Sequence, residues 1–198
     1  MSVSAQQPVK LEQETGHSLA NLFMGLGWCR KKVDSPGFLG FGGGTKEVDI
    51  DLDASCLLFN KSGRLVDHVW FEQLQSQCGA VTHSGDDETG GGGADTENER
   101  ITVDLQQLPA TVQTLVFTVT SFSGESFAEI PHAFCLLVDV ISDAEIIRLD
   151  LSVEGGDYTG LIVAKLYRDG DGWKLEAIGR RAQGRTFQEL LPVLQDYL

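Results

Sequence analysis

Asp49-Ile50-Asp51-Leu52-Asp53-Ala54-Ser55 alternates carboxylate and apolar side chains from Asp49 to Ala54. A β-strand has a side-chain period of two, so this run sets Asp49, Asp51 and Asp53 on one face, roughly 7 Å apart per step, and Ile50, Leu52 and Ala54 on the other. Strand interiors are poor in Asp, and three like charges in a row repel unless something neutralises them. Two readings remain open: a solvated acidic face, or a face that supplies ligands to a hard divalent cation. An EF-hand is excluded, because Ala54 stands where that loop requires Gly and Asn60 stands where it requires a bidentate Glu.

Outward from this run the same short-period pattern continues. Apolar runs broken by Gly, Asp, Asn and Ser predict strands over 19–28, 48–59, 64–70, 101–105, 114–120, 133–140, 146–151, 160–167 and 173–179, which makes the chain all-β. Asn60-Lys61-Ser62-Gly63 and Arg168-Asp169-Gly170-Asp171-Gly172 read as tight connections between antiparallel neighbours, since Asn and Gly accept left-handed dihedrals. Phe187, Leu190, Leu191 and Leu194 recur at helical spacing, so 186–197 should form a short C-terminal helix with Thr186 as N-cap. Segments 34–47 and 84–98, rich in Gly and polar residues, read as surface loops. No internal repeat is evident, and the 198 residues are expected to form one domain, 1–198.

The 29 acidic residues exceed the 15 Lys and Arg by 14. Such an excess repels phosphate backbones, so no direct nucleic-acid binding is expected. No stretch has the roughly 18 consecutive apolar residues of a membrane span, and the first residues lack the pattern of a signal peptide, which points to the cytoplasm. Cys29, Cys56, Cys78 and Cys135 are not closely paired, and Cys56 and Cys135 lie in apolar runs as core thiols. With no CxxC and no HExxH, zinc finds no ligand pattern here.

A second acidic cluster lies in His83-Ser84-Gly85-Asp86-Asp87-Glu88-Thr89-Gly90 and continues, after glycines, through Asp95, Glu97 and Glu99. It is either a polar linker or a loop able to wrap a calcium ion, which takes 6–8 oxygen ligands in flexible geometry. Paired carboxylates could also serve a hydrolase, but no nucleophile elbow or phosphate loop accompanies them, and alternating Asp on a strand suits chelation better. The chain is read as non-enzymatic. Arg180, Arg181 and Arg185 form a small basic group near the C-terminus, either a solvated turn or a partner surface.

Gly25-Leu26-Gly27-Trp28, Asp51-Leu52-Asp53-Ala54, His83-Ser84-Gly85-Asp86, Thr89-Gly90, Phe117-Thr118-Val119, Ala133-Phe134-Cys135 and Ala177-Ile178-Gly179 follow one another in the order seen in the TerD family of tellurium-resistance and stress-response proteins, which the chain resembles over roughly 18–185. Trp70-Phe71, Cys78-Gly79 and Ser121-Phe122 look most like its TerZ branch. The resemblance implies an antiparallel β-sandwich with acidic calcium-binding loops at one end. It makes Asp51, Asp53, Asp86 and Asp87 carboxylate ligands of Ca2+, with Asp49 at the margin. Thr89 and Gly90 match positions that supply backbone oxygens, and Asp95, Glu97 and Glu99 fall in the closing part of the loop.

Two departures from the family pattern stand out. Cys29 replaces the usual Asp after Gly-Leu-Gly-Trp, and the dense acidic run is diluted to Gly92-Gly93-Ala94-Asp95-Thr96-Glu97-Asn98-Glu99. One tight site on Asp51, Asp53, Asp86 and Asp87 is therefore expected, with a weaker or absent one on Asp95, Glu97 and Glu99. The implied role is calcium-dependent binding of other stress-response or tellurium-resistance proteins. The alternative is a calcium-dependent lipid- or carbohydrate-binding module, in which the ion would bring the protein to a membrane.

Overall fold

Alternating apolar residues give most strands one oily face, and two sheets bury these faces against each other. The computed structural model of the chain describes residues 19–35, 44–154 and 156–198. One sheet contains β1 (Asn21–Gly27), β6 (Val81–His83), β7 (Glu99–Asp104), β9 (Phe134–Asp139) and β10 (Ala144–Asp150), in the order β10-β9-β1-β7-β6. The other contains β4 (Leu52–Phe59), β5 (Leu65–Val69), β8 (Thr114–Ser121), β11 (Gly160–Asp169) and β12 (Gly172–Ala182), in the order β12-β11-β8-β4-β5. β2 (Lys31–Ser35) and β3 (Gly44–Val48) form a separate two-stranded ribbon. Every pairing is antiparallel.

Leu22, Met24 and Leu26 of β1 meet Ala54, Cys56 and Leu58 of β4 and Leu115, Phe117 and Val119 of β8 in one shared core. The chain is thus an antiparallel β-sandwich. β4 is buried along its whole length, because its second face, with Leu57 and Phe59, lies under α2 (Phe187–Leu194). On the outside of the first sheet, Phe134, Leu136 and Val138 pack with Phe23. Arg100 and Arg148 lie over Phe23 and Phe134, at 4.0 and 4.9 Å from the ring centroids, so their stems cover apolar surface while their charges stay wet.

The turn chemistry follows the sequence. Asn60 Oδ1 accepts hydrogen bonds from the Ser62 and Arg64 N–H groups, and Gly63 and Gly170 take φ values of 71° and 60°. Cys56 and Cys135 are fully buried free thiols, and burial raises the pKa of both, that of Cys135 to about 12. Cys29 is half-buried and Cys78 exposed.

Several expectations are corrected. The acidic strand does not begin at 48, because Asp49, Ile50 and Asp51 lie in a break between β3 and β4. Part of the predicted loop 34–47 is ribbon, since Gly44-Thr45-Lys46-Glu47-Val48 pairs with 31–35. Its main-chain pairing needs no apolar pattern, so the Gly-rich composition concealed it. Residues 36–43 of that segment lie outside the described residues. The short β6 and α1 (Leu151–Glu154) were not predicted. Thr186 occupies the N-cap of α2 without a side-chain cap, and Glu189 instead accepts the Arg185 N–H at 3.2 Å.

Phe187 anchors α2, with its ring 5.1 Å from that of Trp70 and its side chain among Leu57, Phe59 and Val116. Phe187→Ala should lower unfolding free energy by about 3–5 kcal/mol in urea titration, the usual cost of emptying an aromatic site. A loss below about 1 kcal/mol would mean that α2 rests on the sheet without stabilising it.

Candidate metal centre

The site begins with an unpaired strand edge. β5 pairs with β4 only from Cys56 onward, which leaves the Ala54 N–H on that edge without a strand partner. Glu99, the first residue of β7, supplies one: its Oε2 accepts the Ala54 N–H at 2.8 Å, and its Oε1 accepts the Asp87 N–H at 3.4 Å. His83 Nε2 lies 3.3 Å from Glu99 Oε2, with both side chains fully buried. His83 Nδ1 accepts the Gly85 N–H, so the proton of a neutral ring sits on Nε2, the nitrogen beside the carboxylate. One carboxylate thus joins both sheets and the loop after β6.

Around this brace the fold gathers Asp51, Asp53 and Asp86, each offering a carboxylate oxygen within 4.8 Å of the other two. Asp53 lies in β4 and is 3% exposed. Asp51 precedes the strand and is tied to the turn after β8: its N–H donates to Ser123 Oγ at 3.1 Å and its carbonyl accepts the Phe122 N–H at 2.9 Å. Asp86 reaches in from the loop after β6. Asp51 Oδ1 and Asp53 Oδ2 are buried with no hydrogen-bond partner among the described residues.

The electrostatics follow from this crowding. Burial, then Glu99, Asp51 and Asp86, push the Asp53 pKa up to about 8. Burial, then Asp86, Glu99 and Glu88, raise Asp51 to about 6. Asp86 is raised by burial and Glu88, against the pull of His83. For Glu99 burial outweighs His83 and the main-chain donors, so its pKa also rises. A divalent cation would favour the ionised forms of all four and give the orphaned oxygens a partner. These hard oxygen donors fit calcium or magnesium in kind.

The other expected residues are placed differently. Asp87 turns onto its own loop: Oδ1 accepts from the Thr89 N–H and hydroxyl, both at 2.8 Å, and from the Gly90 N–H at 3.2 Å, while Oδ2 accepts from Asn98 Nδ2 at 2.8 Å. These bonds outweigh burial and lower its pKa. The Gly90 carbonyl accepts the Arg30 N–H, and its φ of 67° sets it so close to Trp28 that a Cβ would fall 2.4 Å from the indole. Thr89 and Gly90 therefore shape the loop.

Glu97 lies away from the cluster, ion-paired to Arg100 at 2.8 Å and packed over Gly25. Asp95 is exposed at the loop tip. The expected grouping of Asp95, Glu97 and Glu99 is not found, because a bend at Asn98 separates Glu97 from Glu99. Asp49 leaves the acidic face to pair with Arg30 at 2.9 Å. Arg185 is spent on the Phe122 carbonyl, which its Nε reaches at 2.7 Å.

Asn98, His83 and Ser123 also shape the site, although no local pattern in the sequence marks them. Asn98 receives the Trp28 N–H on Oδ1 at 2.9 Å while its own N–H donates to the Leu26 carbonyl. The signal available was position: Asn98 immediately precedes the acid that opens β7, and His83 begins the second acidic cluster.

A two-sheet antiparallel sandwich with a braced carboxylate cluster at one end of its core defines the class of this protein. The TerD domain matches residues 1–193. Tellurium resistance protein TerZ of Serratia marcescens is 42% identical over 192 residues, covering 96% of this chain and 94% of that protein. General stress protein 16U of Bacillus subtilis (strain 168) is 33% identical over 192 residues, 93% of each. In crystal form, a homologue of the telluride resistance protein TerD from Streptomyces coelicolor A3(2) superposes with a TM-score of 0.71 at 19% identity, over 86% of this chain and 94% of its own. The chain belongs to the TerD family. Within it the sequence is TerZ-like.

The raised carboxylates give stability a pH dependence. Folded Asp51 and Asp53 keep their protons to about 6 and about 8, whereas the unfolded carboxyls release theirs near 3.8. In between, the folded state binds more protons, so stability falls as pH rises. In chelator the melting temperature should drop between about pH 5 and about pH 8, and the drop should be shallower in Asp53→Asn. A level or rising profile in the parent would show that these carboxyls do not hold their protons.

Proposed function

We propose that this TerD-family protein is a non-enzymatic calcium-binding component of a tellurium-resistance and general stress response. The observation that carries this reading is the set of Asp51, Asp53 and Asp86 oxygens within 4.8 Å of one another, two of the three carboxylates holding a buried oxygen with no partner. Asp51, Asp53 and Asp86 hold the ion, and Glu99 adds negative charge from beneath. Asp87 acts by fixing the loop. Calcium suits the mixed loop-and-strand frame better than magnesium, which demands a strict octahedron.

Asp53, whose pKa is pushed up to about 8, is 3% exposed and so poorly placed to exchange protons with a substrate. This favours binding over acid–base chemistry. The site lies beside the exposed ring of Phe122, and a calcium ion there completes a surface for other stress-response proteins. Among the described residues no helix is long and apolar enough to cross a membrane.

Calorimetric titration should give one tight calcium step that survives Asp95→Ala combined with Glu97→Ala and is lost in Asp53→Asn. Saturating calcium should raise the melting temperature, by about 2.7 kcal/mol of stabilisation at one hundred times the dissociation constant. An unchanged melting temperature, or a tight step that persists in Asp53→Asn, would remove the ion from this cluster.

A further inference from the structure

The loop that carries Asp86 and Asp87 has a second side. Beyond Gly90 it lines a cleft of about 650 Å³ together with Cys29, Arg30, Lys31 and Lys32 and the two carboxylates Glu47 and Glu129. Three successive cations are unexpected in a chain where acids outnumber bases 29 to 15. Arg30 pairs with Asp49 at 2.9 Å and more loosely with Glu47 at 3.9 Å, and Lys31 pairs with Glu129 at 3.2 Å. These side chains are all at least 32% exposed, and ion pairs so open to solvent contribute little net stability. Lys32 has no carboxylate partner among the described residues.

The loop supplies donors of another kind. Asp87 holds Gly90 in a left-handed turn, and the next two N–H groups, of Gly91 and Gly92, have no hydrogen-bond partner among the described residues. A Cβ at Gly91 would lie 3.6 Å from Arg30 Nη2, so the guanidinium sits against this stretch of main chain. Unclaimed N–H groups after a left-handed residue, with cations beside them, are a main-chain arrangement that receives anions. The absence of side chains at Gly91 and Gly92 permits close approach.

We propose that this cleft binds a small, doubly charged oxyanion, held by Lys31, Lys32, the Arg30 guanidinium and the Gly91 and Gly92 amides. Arg30 and Lys31 exchange exposed carboxylate partners for the ligand, and Lys32, opposite Glu47 in the ribbon but in no ion pair with it, adds a third cation. The oxyanion is either free or the terminal group of a small ester, since the volume accommodates both. This assignment is independent of the calcium reading.

The test is an amide chemical-shift titration of the full chain, without added divalent metal, using tellurite, inorganic phosphate and ribose 5-phosphate in parallel. Gly91 and Gly92 should shift with at least one of the three, and phosphate or ribose 5-phosphate, where it binds, should slow alkylation of Cys29, followed by peptide mass because Cys78 also reacts; tellurite has no place in the alkylation arm because it oxidises thiols. Lys31→Gln combined with Lys32→Gln should weaken binding about tenfold or more while the rest of the spectrum stays in place. A response to tellurite or phosphate alone identifies a free oxyanion; a stronger response to ribose 5-phosphate identifies an ester. No shift at Gly91 and Gly92 with any probe, or equal binding in the double variant, overturns the proposal.

Discussion

The buried carboxylate of Glu99 is the interaction on which this end of the molecule depends. It starts a strand of one sheet, accepts the Ala54 main-chain donor of the other and receives the Asp87 N–H from the loop between β6 and β7. Without it, β4 would present an unsatisfied N–H at a buried edge, and such a group costs more than an ordinary hydrogen bond contributes. Burying the carboxylate is itself unfavourable, and the contact with His83 offsets part of that cost. Glu99 also sets the geometry around it, because the same brace that closes the sheet edge draws Asp53 and Asp86 toward one point.

Much of the fold was legible because apolar alternation reports burial directly. Leu22, Met24 and Leu26 announce β1, and Leu115, Phe117 and Val119 announce β8; all six lie in the shared core. The pattern was silent where burial did not dictate structure. β2 and β3 are held by main-chain pairing at the surface, and most of their residues are exposed or half-buried, so nothing in Gly44-Thr45-Lys46-Glu47 marks a strand. β4 posed the opposite problem: the alternation over 49–54 begins three residues before the strand does, so the period that marks β4 does not locate its start at Leu52.

The site divides along the same line. Asp51, Asp53 and Asp86 were legible because their spacing and motif context fix them, and the fold brings them together. Asp87 and Glu97 were not, since a sequence does not reveal whether a loop acid turns inward or binds its own backbone. In Asp87 the second outcome prevails because four donors lie within reach, and in Glu97 because Arg100 stands three residues on. The structural use of Asn98 depends on contacts with residues 70 and 11 positions away, which no local pattern encodes.

The four thiols fall into two pairs with different chemical fates. Oxidants and thiophilic elements attack the thiolate, and Cys56 and Cys135 are shielded twice, by complete burial and by a pKa raised through that burial. Only Cys29, beside the glycine loop, and Cys78, near the Asp67 turn, meet solvent. Damage during oxidative stress is thereby confined to sulfur atoms at the periphery, where a sulfenic acid or mixed disulfide changes the surface without entering the core. The sandwich keeps its packing under the same oxidative insult that modifies its rim.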